Sequence, residues 1–234
     1  MSRGRAPSFR RLPSFRRLPS FRRTPESRLA RVSAAAVAVL MLLAGCTITR
    51  VEEPSASSDP TFVPATQAEV LQARKAAGIA ACPESSETVA ARPDGLPDLT
   101  LDCLGGDSTV RLAGLRGKPM VINLWAQWCA PCRAESPFLR EFAQAGKGKV
   151  LLLGLNYADP RPELAVEFAS LVGWKYPQMA DPDRRLGAAL ALPVAIPITL
   201  FVDADGRLVR TYIGGVHSYD ELKQLTHDEL GVTL

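Results

Sequence analysis

The stretch Met120-Val-Ile-Asn-Leu-Trp-Ala-Gln-Trp-Cys-Ala-Pro-Cys132 joins a continuous apolar run to two cysteines separated by two residues. The apolar run predicts a buried strand, and a helix is expected to begin near Ala130. Two thiols delivered by a strand to the start of a helix suit the reversible exchange of a dithiol for a disulfide. A second signal lies 65 residues further on, where Ile196 and Pro197 open the apolar run that ends at Val202.

The charges of this 234-residue chain are segregated. Residues 1–45 contain ten arginines and one glutamate, whereas the rest of the chain carries 18 basic and 23 acidic residues. The formal net charge of +4 therefore comes from the leader, and the remainder is mildly acidic. The overall basic charge is thus no argument for a nucleic-acid partner, and none is expected. Hydrophobic residues make up 47% of the chain, which is sufficient for a substantial core.

Residues 1–45 are predicted to be a secretory signal peptide with a basic first region. The apolar segment 34–45 has about 12 residues, whereas a membrane-spanning helix needs roughly 20. It ends in Leu43-Ala-Gly-Cys46, which resembles the lipobox of bacterial lipoproteins. The resemblance implies that Cys46 becomes the lipidated first residue of the mature protein. An uncleaved anchor and plain cleavage nearby are the alternatives. A lipid on Cys46 or an uncleaved anchor would each tether the domain to the outer face of a bacterial cytoplasmic membrane.

The mature chain divides into three predicted regions. Residues 46–65 are rich in Pro, Ser, Thr and acidic residues and predict a solvated tether. Residues 66–95 predict a short helix with an extension, and residues 96–234 form the main domain. Its predicted elements are a hairpin of 99–104 with 109–112, strands 119–126 and 149–156, a helix over 160–172, a hairpin of 197–202 with 208–213, and a final helix after Ser218. This order predicts a mixed α/β layer fold.

The order of elements, the Cys-X-Pro-Cys motif and the downstream proline strand together resemble the thioredoxin superfamily. The extra N-terminal hairpin and the inserted helix are similar to its TlpA/ResA branch of exported reductases. The resemblance covers residues 96–234 and implies a thioredoxin-like mixed sheet flanked by helices. Asn123 stands where thioredoxins proper carry a buried acid, so the proton chemistry of that acid is not expected here.

Cys129 is expected to be the attacking thiolate, because unpaired N–H groups at a helix start stabilise an anion. Cys132, one turn on and more enclosed, is expected to resolve the mixed disulfide. Pro131 restrains the backbone between them. Glu135 matches the acid of the Cys-X-X-Cys-X-X-Glu pattern of the TlpA/ResA branch, which implies proton handling for Cys132 and contact with substrate. The alternative role of Glu135 is to stabilise the first helical turn.

Two further segments are expected to line the same site. The resemblance implies a cis peptide bond before Pro197, with the proline facing Cys129 and the backbone of Ile196 free to pair with an extended substrate. Local sequence alone favours a trans proline that opens an edge strand. Trp128 is expected to form an apolar rim beside an exposed sulfur of Cys129, where it limits solvent and docks partners.

The remaining cysteines suggest a second disulfide. If Cys46 carries lipid, four cysteines remain, which is an even number in an exported chain. With Cys129 and Cys132 as the active pair, Cys82 and Cys103 are expected to form a structural bridge that stabilises the fold by about 3 kcal/mol. Two unpaired thiols are the alternative.

The sequence thus predicts a membrane-tethered enzyme that reduces disulfides of exported proteins through its Cys-Ala-Pro-Cys dithiol, without a metal or other cofactor. Ala130 and Pro131 offer no donor side chain, which favours a reductant over a strong oxidant. The resemblance suggests apocytochrome c thiols or a copper-site assembly factor as substrates, and a membrane thiol donor that recharges the enzyme. The alternatives are a copper-binding chaperone with Cys129 and Cys132 as soft ligands, and a thiol peroxidase, whose usual motif is absent. A zinc site is disfavoured because no second Cys-X-X-Cys accompanies the first.

Overall fold

The computed structural model describes residues 64–234. The predicted signal peptide, the proposed lipidation residue Cys46 and nearly all of the predicted tether lie outside the described residues. The elements are α1 Gln67–Ala76, β1 Thr100–Cys103, β2 Thr109–Arg111, β3 Met120–Trp125, α2 Ala130–Ala134, α3 Ser136–Ala145, β4 Leu151–Tyr157, α4 Pro162–Leu171, β5 Gln178–Asp181, α5 Arg185–Ala189, β6 Ile198–Val202, β7 Leu208–Ile213 and α6 Tyr219–Leu230. A short 3-10 turn follows β2 at Leu112–Gly114.

Seven strands form one mixed sheet in the order β2-β1-β5-β4-β3-β6-β7. Strand β4 pairs in parallel with β3 and β5, and the other neighbouring pairs are antiparallel. The central strand β3 is buried along its whole length, as expected for a strand covered on both faces. The predicted mixed α/β class is confirmed.

Alternation along β3 divides the core into two apolar clusters. Val121 and Trp125 pack in one cluster with residues of α1, α3, α4 and α6. Ile122 and Leu124 pack in the other, with residues of β1, β6 and α5. Asn123 has the same parity as Val121 and Trp125, so its side chain lies on the face that α3 covers.

Strand β5 and helix α5 are absent from the sequence-based expectations. Two of the four residues of β5, Gln178 and Asp181, are polar yet fully buried. Gln178 accepts a hydrogen bond from Trp125 Nε1 at 2.9 Å. Asp181 accepts from the backbone N–H groups of Arg185 and Leu186, both at 2.9 Å, and so satisfies the start of α5. An apolar pattern cannot reveal a strand whose polar residues are satisfied by distant partners.

The N-terminal helix occupies the range expected for it. Thr66 caps α1 with a capping box in which its hydroxyl accepts from the N–H of Glu69 and the Glu69 carboxylate accepts from the N–H of Thr66. Val70 and Arg74 form the buried side of the helix. The extension after α1 is tied to the sheet by a disulfide between Cys82 and Cys103.

The sheet topology brings together the two segments singled out in the sequence. Strand β6 runs antiparallel to β3, with Ile198 opposite Leu124. Consequently β6 begins where β3 ends, and Pro197 lies at the same edge of the sheet as the loop that leads into α2.

Candidate active site

Cys129 and Cys132 are joined by a disulfide at the start of α2, with their Cα atoms 5.3 Å apart. Cys129 is the N-cap residue, and its Sγ accepts from the N–H of Cys132 at 3.2 Å. Cys132 is fully enclosed, as expected. The expectation of an exposed sulfur at Cys129 is wrong for this oxidised state, since the residue is only 4% exposed. The carbonyl oxygen of Ile196 lies 3.7 Å from its Sγ.

Two backbone groups act on the Cys129 sulfur in opposite directions. In the disulfide, Sγ carries no proton, so its approach to the Ile196 carbonyl is a contact without a hydrogen bond. After reduction, the same carbonyl accepts from the thiol and favours the protonated form. The N–H of Cys132 favours the thiolate, because it donates to an anion. The displacement of the Ile196 carbonyl therefore shifts the balance towards the nucleophilic form.

The helix that carries the cysteines is interrupted two residues before Pro137. Helix α2 ends at Ala134 and α3 begins at Ser136, with Glu135 between them. Pro137 has no N–H, so the carbonyl of Arg133 lacks its usual partner four residues on. The Glu135 side chain lies in the interior, where the residue is 1% exposed.

The Glu135 carboxyl group accepts two hydrogen bonds from distant parts of the chain. Asn123 Nδ2 donates to one oxygen at 2.8 Å, and the N–H of Val216 donates to the other at 3.1 Å. Burial raises the pKa of Glu135 to about 7, against the opposing effect of these two hydrogen bonds. At the start of α3 the Glu135 side chain makes no capping hydrogen bond, so no contact of that kind supports the alternative in which it stabilises a helical turn.

No acid stands at position 123, but the structure places another buried acid, Glu135, against Asn123. The side chain of Asn123 lies on the face covered by α3, where its amide contacts the Glu135 carboxyl group and the hydroxyl of Thr199. The buried acid is thus Glu135, at the junction of α2 and α3, and Asn123 on β3 donates a hydrogen bond to it. The sequence contains both residues, but only the fold brings them into contact.

Gly215 lies where three site segments meet. An ideal Cβ atom on Gly215 would lie 3.6 Å from a Glu135 carboxyl oxygen, 3.6 Å from Pro197 Cγ and 4.0 Å from the Pro131 carbonyl oxygen. The glycine therefore leaves the space beside the acid free of side-chain atoms. No feature of the sequence near Gly215 indicated this position.

The peptide bond before Pro197 has the cis form that the resemblance implied, and not the trans form that local sequence favours. The Ile196–Pro197 bond is cis, and the Pro197 carbonyl accepts from the N–H of Gly214 at 3.0 Å. Trp128, which directly precedes Cys129 in the chain, is 54% exposed and presents a large apolar surface. Trp125, by contrast, lies in the core.

Asp159 is a buried residue at this edge of the sheet that the sequence did not reveal. One of its carboxylate oxygens accepts from the N–H of Gln127 at 3.2 Å and from Asn156 Nδ2 at 3.0 Å. The other accepts from the N–H of Arg161 at 3.2 Å. Asp159 thereby joins the loop after β4 to the loop that precedes Cys129, with no motif to identify it.

Further observations concern metal binding, the two histidines and the possibility of a membrane-spanning helix. Within residues 64–234, no group of three or more His, Cys, Asp or Glu side chains is arranged to hold a metal ion. His217 and His227 are both exposed. None of the helices from α1 to α6 is long and apolar enough to cross a membrane.

Comparison with known proteins agrees with this geometry. Residues 92–226 match the sequence model of the redoxin family. A thiol:disulfide interchange protein, DsbE of Pseudomonas fluorescens biotype C, is 36% identical over 118 residues, which cover 50% of this chain and 64% of the relative. The thiol-disulfide oxidoreductase ResA of Geobacillus thermodenitrificans is 33% identical over 143 residues, which cover 60% of this chain and 79% of the relative.

Solved structures support the same assignment of the fold. A secreted thiol-disulfide isomerase from Corynebacterium glutamicum superposes with a TM-score of 0.51 at 26% identity, over 64% of this chain and 95% of its own. The chain spans just under two thirds of the length of the first sequence relative described above. Because the family model matches more than half of the sequence, this chain belongs to the redoxin family and has its thioredoxin-like fold.

Proposed function

We propose that this chain is a thiol-disulfide oxidoreductase of the DsbE/ResA type, in which Cys129 and Cys132 exchange two electrons with other proteins. The observation that carries the proposal is the Cys129–Cys132 disulfide at a helix start, with a backbone N–H directed at the Cys129 sulfur. The names of its relatives support the same chemistry. The reaction requires no cofactor beyond the two sulfurs.

In the reducing direction, the Cys129 thiolate attacks one sulfur of a substrate disulfide. The substrate disulfide bond breaks, its second sulfur leaves as a thiolate, and a mixed disulfide forms with Cys129. Cys132 then loses its proton and attacks the Cys129 sulfur, which releases the first substrate sulfur. The substrate gains two electrons and the enzyme loses them, so that the Cys129–Cys132 disulfide is restored.

Glu135 is the proposed acceptor for the proton of Cys132. It lies three residues after Cys132, on the same side of the interrupted helix. A pKa of about 7 means that both forms of the carboxyl group are populated near neutral pH. Such a group serves equally well as base and acid, as the two directions of the reaction require.

Trp128, Ile196 and Pro197 are the proposed binding surface for substrate. The exposed Trp128, which directly precedes Cys129 in the chain, offers apolar contact, and the segment before β6 brings the Ile196 carbonyl to the Cys129 sulfur. An extended substrate backbone that pairs with Ile196 displaces its carbonyl from the Cys129 sulfur. Binding would then uncover the sulfur and favour its thiolate in the same step.

We further propose that the enzyme works outside the cytoplasm as a lipid-anchored reductant. Residues 1–45 would direct export, Cys46 would carry the lipid, and residues 46–65 would tether the domain to the outer face of the cytoplasmic membrane. Its substrates would be disulfides of exported proteins, of the apocytochrome c or copper-site assembly type. A membrane thiol donor would restore the dithiol after each cycle.

Trapping of mixed disulfides tests the proposal. The full chain with Cys132→Ala should accumulate covalent adducts on Cys129 with exported proteins that contain cysteine, and dithiothreitol should release them. The matched control is Cys129→Ala, which should trap nothing because Cys132 is fully buried. A failure of the wild-type protein to reduce insulin disulfides, together with an empty trap, would contradict the proposal. Cu(I) binding by the reduced pair in that case would favour the copper-binding alternative.

A further inference from the structure

The second disulfide, Cys82–Cys103, is in contact with a buried guanidinium group. Arg74 reaches in from α1, and its Nη1 lies 2.8 Å from Cys103 Sγ and 2.9 Å from the Leu104 carbonyl oxygen. Its Nη2 pairs with the Asp107 carboxylate. Within the described part of the chain, Nε of Arg74 is buried without a hydrogen-bond partner. A permanent positive charge is therefore held directly against a disulfide sulfur.

This arrangement suits the reduced state of the bridge better than the oxidised one. A disulfide sulfur carries no charge and accepts hydrogen bonds weakly, whereas a thiolate on Cys103 would form a charge-assisted hydrogen bond with Arg74. The carbonyl oxygen of Gln178 lies 3.3 Å from Cys82 Sγ and 3.5 Å from Cys103 Sγ, and it would accept from a thiol at either position. Arg74 contacts only the Cys103 sulfur, so after reduction it would favour a thiolate at Cys103 and leave the Gln178 carbonyl to accept from a thiol at Cys82.

Cys82 is more exposed than Cys103, which is the order required if an incoming thiolate attacks Cys82 and Cys103 leaves. Cys103 is buried, whereas Cys82 is partly exposed. An incoming thiolate can therefore reach Cys82, and Cys103 becomes the leaving group. A leaving thiolate that is stabilised by a cation leaves faster and makes the disulfide easier to reduce.

We propose that Cys82–Cys103 is a second redox-active disulfide, which accepts two electrons from a dithiol protein while Arg74 stabilises the Cys103 thiolate. The donor thiolate attacks Cys82 Sγ, the Cys82–Cys103 bond breaks, and its electron pair stays on Cys103. The second donor thiol then attacks the first donor sulfur and passes its proton to the departing Cys82. The donor ends as a disulfide, and the bridge ends as one thiol and one thiolate. This exchange is independent of the proposed function of Cys129 and Cys132.

Equilibration of the full chain in glutathione redox buffers tests this inference. After an acid quench and alkylation, peptide mass spectrometry reports the oxidised fraction of each cysteine pair separately. The wild-type Cys82–Cys103 bridge should open without denaturant. Arg74→Met should shift its equilibrium about ten-fold towards the disulfide, as expected for loss of one hydrogen bond to a charged group. The Cys129–Cys132 pair in the same sample should be unaffected.

Arg111→Met is the matched control. Arg111 pairs with Asp98 and donates to the carbonyl oxygens of Ser86 and Val89, so it anchors the same extension without contact with a sulfur. Its substitution should leave the equilibrium of the bridge unchanged. An equal shift in both variants would overturn the proposal, because it would show that general loosening of the extension opens the bridge.

If Arg74→Met does not fold, the wild-type protein alone still tests whether the Cys82–Cys103 bridge is redox-active. A bridge that stays oxidised in every glutathione buffer until the protein unfolds would be purely structural, and the proposal would be wrong. Arg74→Lys keeps the charge but loses the planar donor pair. It should shift the equilibrium less than Arg74→Met does, and a shift of the same size would contradict a role for the positive charge.

Discussion

Glu135 combines nearly complete burial with two hydrogen-bond donors to its carboxyl group. Those donors stabilise the charged form, yet removal of the carboxylate from water is the larger effect, and the pKa rises to about 7. The chain therefore keeps an acid beside its redox pair that titrates near neutral pH. After reduction, the Cys129 sulfur would face a similar opposition between the N–H of Cys132 and the carbonyl oxygen of Ile196.

The raised pKa of Glu135 predicts a pH dependence of stability. Its ordinary value is 4.5, so the folded protein retains a proton at pH values where the unfolded chain has lost it. The associated stability is present below pH 4.5 and is lost as the pH rises through 7. Relative to Glu135→Gln, the wild-type free energy of unfolding should fall by about 3 kcal/mol between pH 4.5 and 8. Urea unfolding at several pH values measures this difference.

The control for that measurement is Glu167→Gln, which removes an exposed carboxylate from α4. Its stability difference from the wild type should change little over the same pH interval. A Glu135→Gln curve that runs parallel to the wild-type curve would show that the carboxyl group is charged throughout.

The proposed proton transfer gives a second prediction for the same residue. In the wild type, the rate at which Cys132 resolves a mixed disulfide should increase with an ionisation near pH 7, as Glu135 becomes a base. Glu135→Gln should lose this ionisation and slow the step by about 100-fold at neutral pH. Single-turnover kinetics with a fluorescent mixed disulfide on Cys129 provides the measurement. A pH profile in Glu135→Gln that matches the wild type would exclude Glu135 as the proton acceptor.

At the level of elements, the parallel pair β4–β5 depends on a glycine. Gly154 lies opposite Gln178 in the register, and a Cβ atom at this position would overlap the Gln178 side-chain oxygen. That oxygen accepts from Trp125 Nε1, so the absence of a side chain on β4 lets β5 hold a core tryptophan of β3. Three neighbouring strands are thereby joined through one buried amide.

Gly154→Ala should therefore destabilise the protein by about 2–4 kcal/mol, from steric overlap and from the loss of a partner for Trp125 Nε1. Thermal or urea unfolding measures the loss. The double variant Gly154→Ala/Gln178→Ala relieves the overlap, so its loss should be smaller than the sum of the two single losses. Strict additivity would show that the two positions do not interact.

At the level of the whole molecule, a backbone hydrogen bond and a disulfide hold the extension between α1 and β1 against the rest of the domain. The N–H of Ala80 donates to the carbonyl of Lys175 at 2.9 Å, and the Cys82–Cys103 bridge follows two residues later. The bridge closes a segment with a sequence separation of 21 residues. It therefore restricts the unfolded chain more than it rigidifies the folded one.

Removal of the bridge by Cys82→Ala/Cys103→Ala should lower the free energy of unfolding by about 3 kcal/mol. Urea unfolding under oxidising conditions gives the value. In dithiothreitol, the wild type should lose most of its advantage over the double variant. A loss well under 1 kcal/mol would mean that the hydrogen bonds of the extension suffice to hold it.

The sequence by itself determined the elements whose evidence is local. The apolar run of β3, the cysteine pair after it and the hairpin from Pro197 to Ile213 follow from residue order alone. The capping residue Ser218 locates the start of α6, because its side chain accepts from the N–H group three residues on. The family resemblance predicted that the cysteine pair and the segment at Pro197 belong to one site.

Only the tertiary structure decided the electrostatics of the site and the identity of the short strand β5. Burial in the surrounding core raises the pKa of Glu135, against the opposing hydrogen bonds from Asn123 and from Val216, which lies 81 residues further along the chain. Gln178 can be buried within a strand because Trp125, on another strand, donates a hydrogen bond to its side-chain oxygen. Desolvation and buried hydrogen bonds depend on distances in space, and residue order constrains those distances only after the chain has folded.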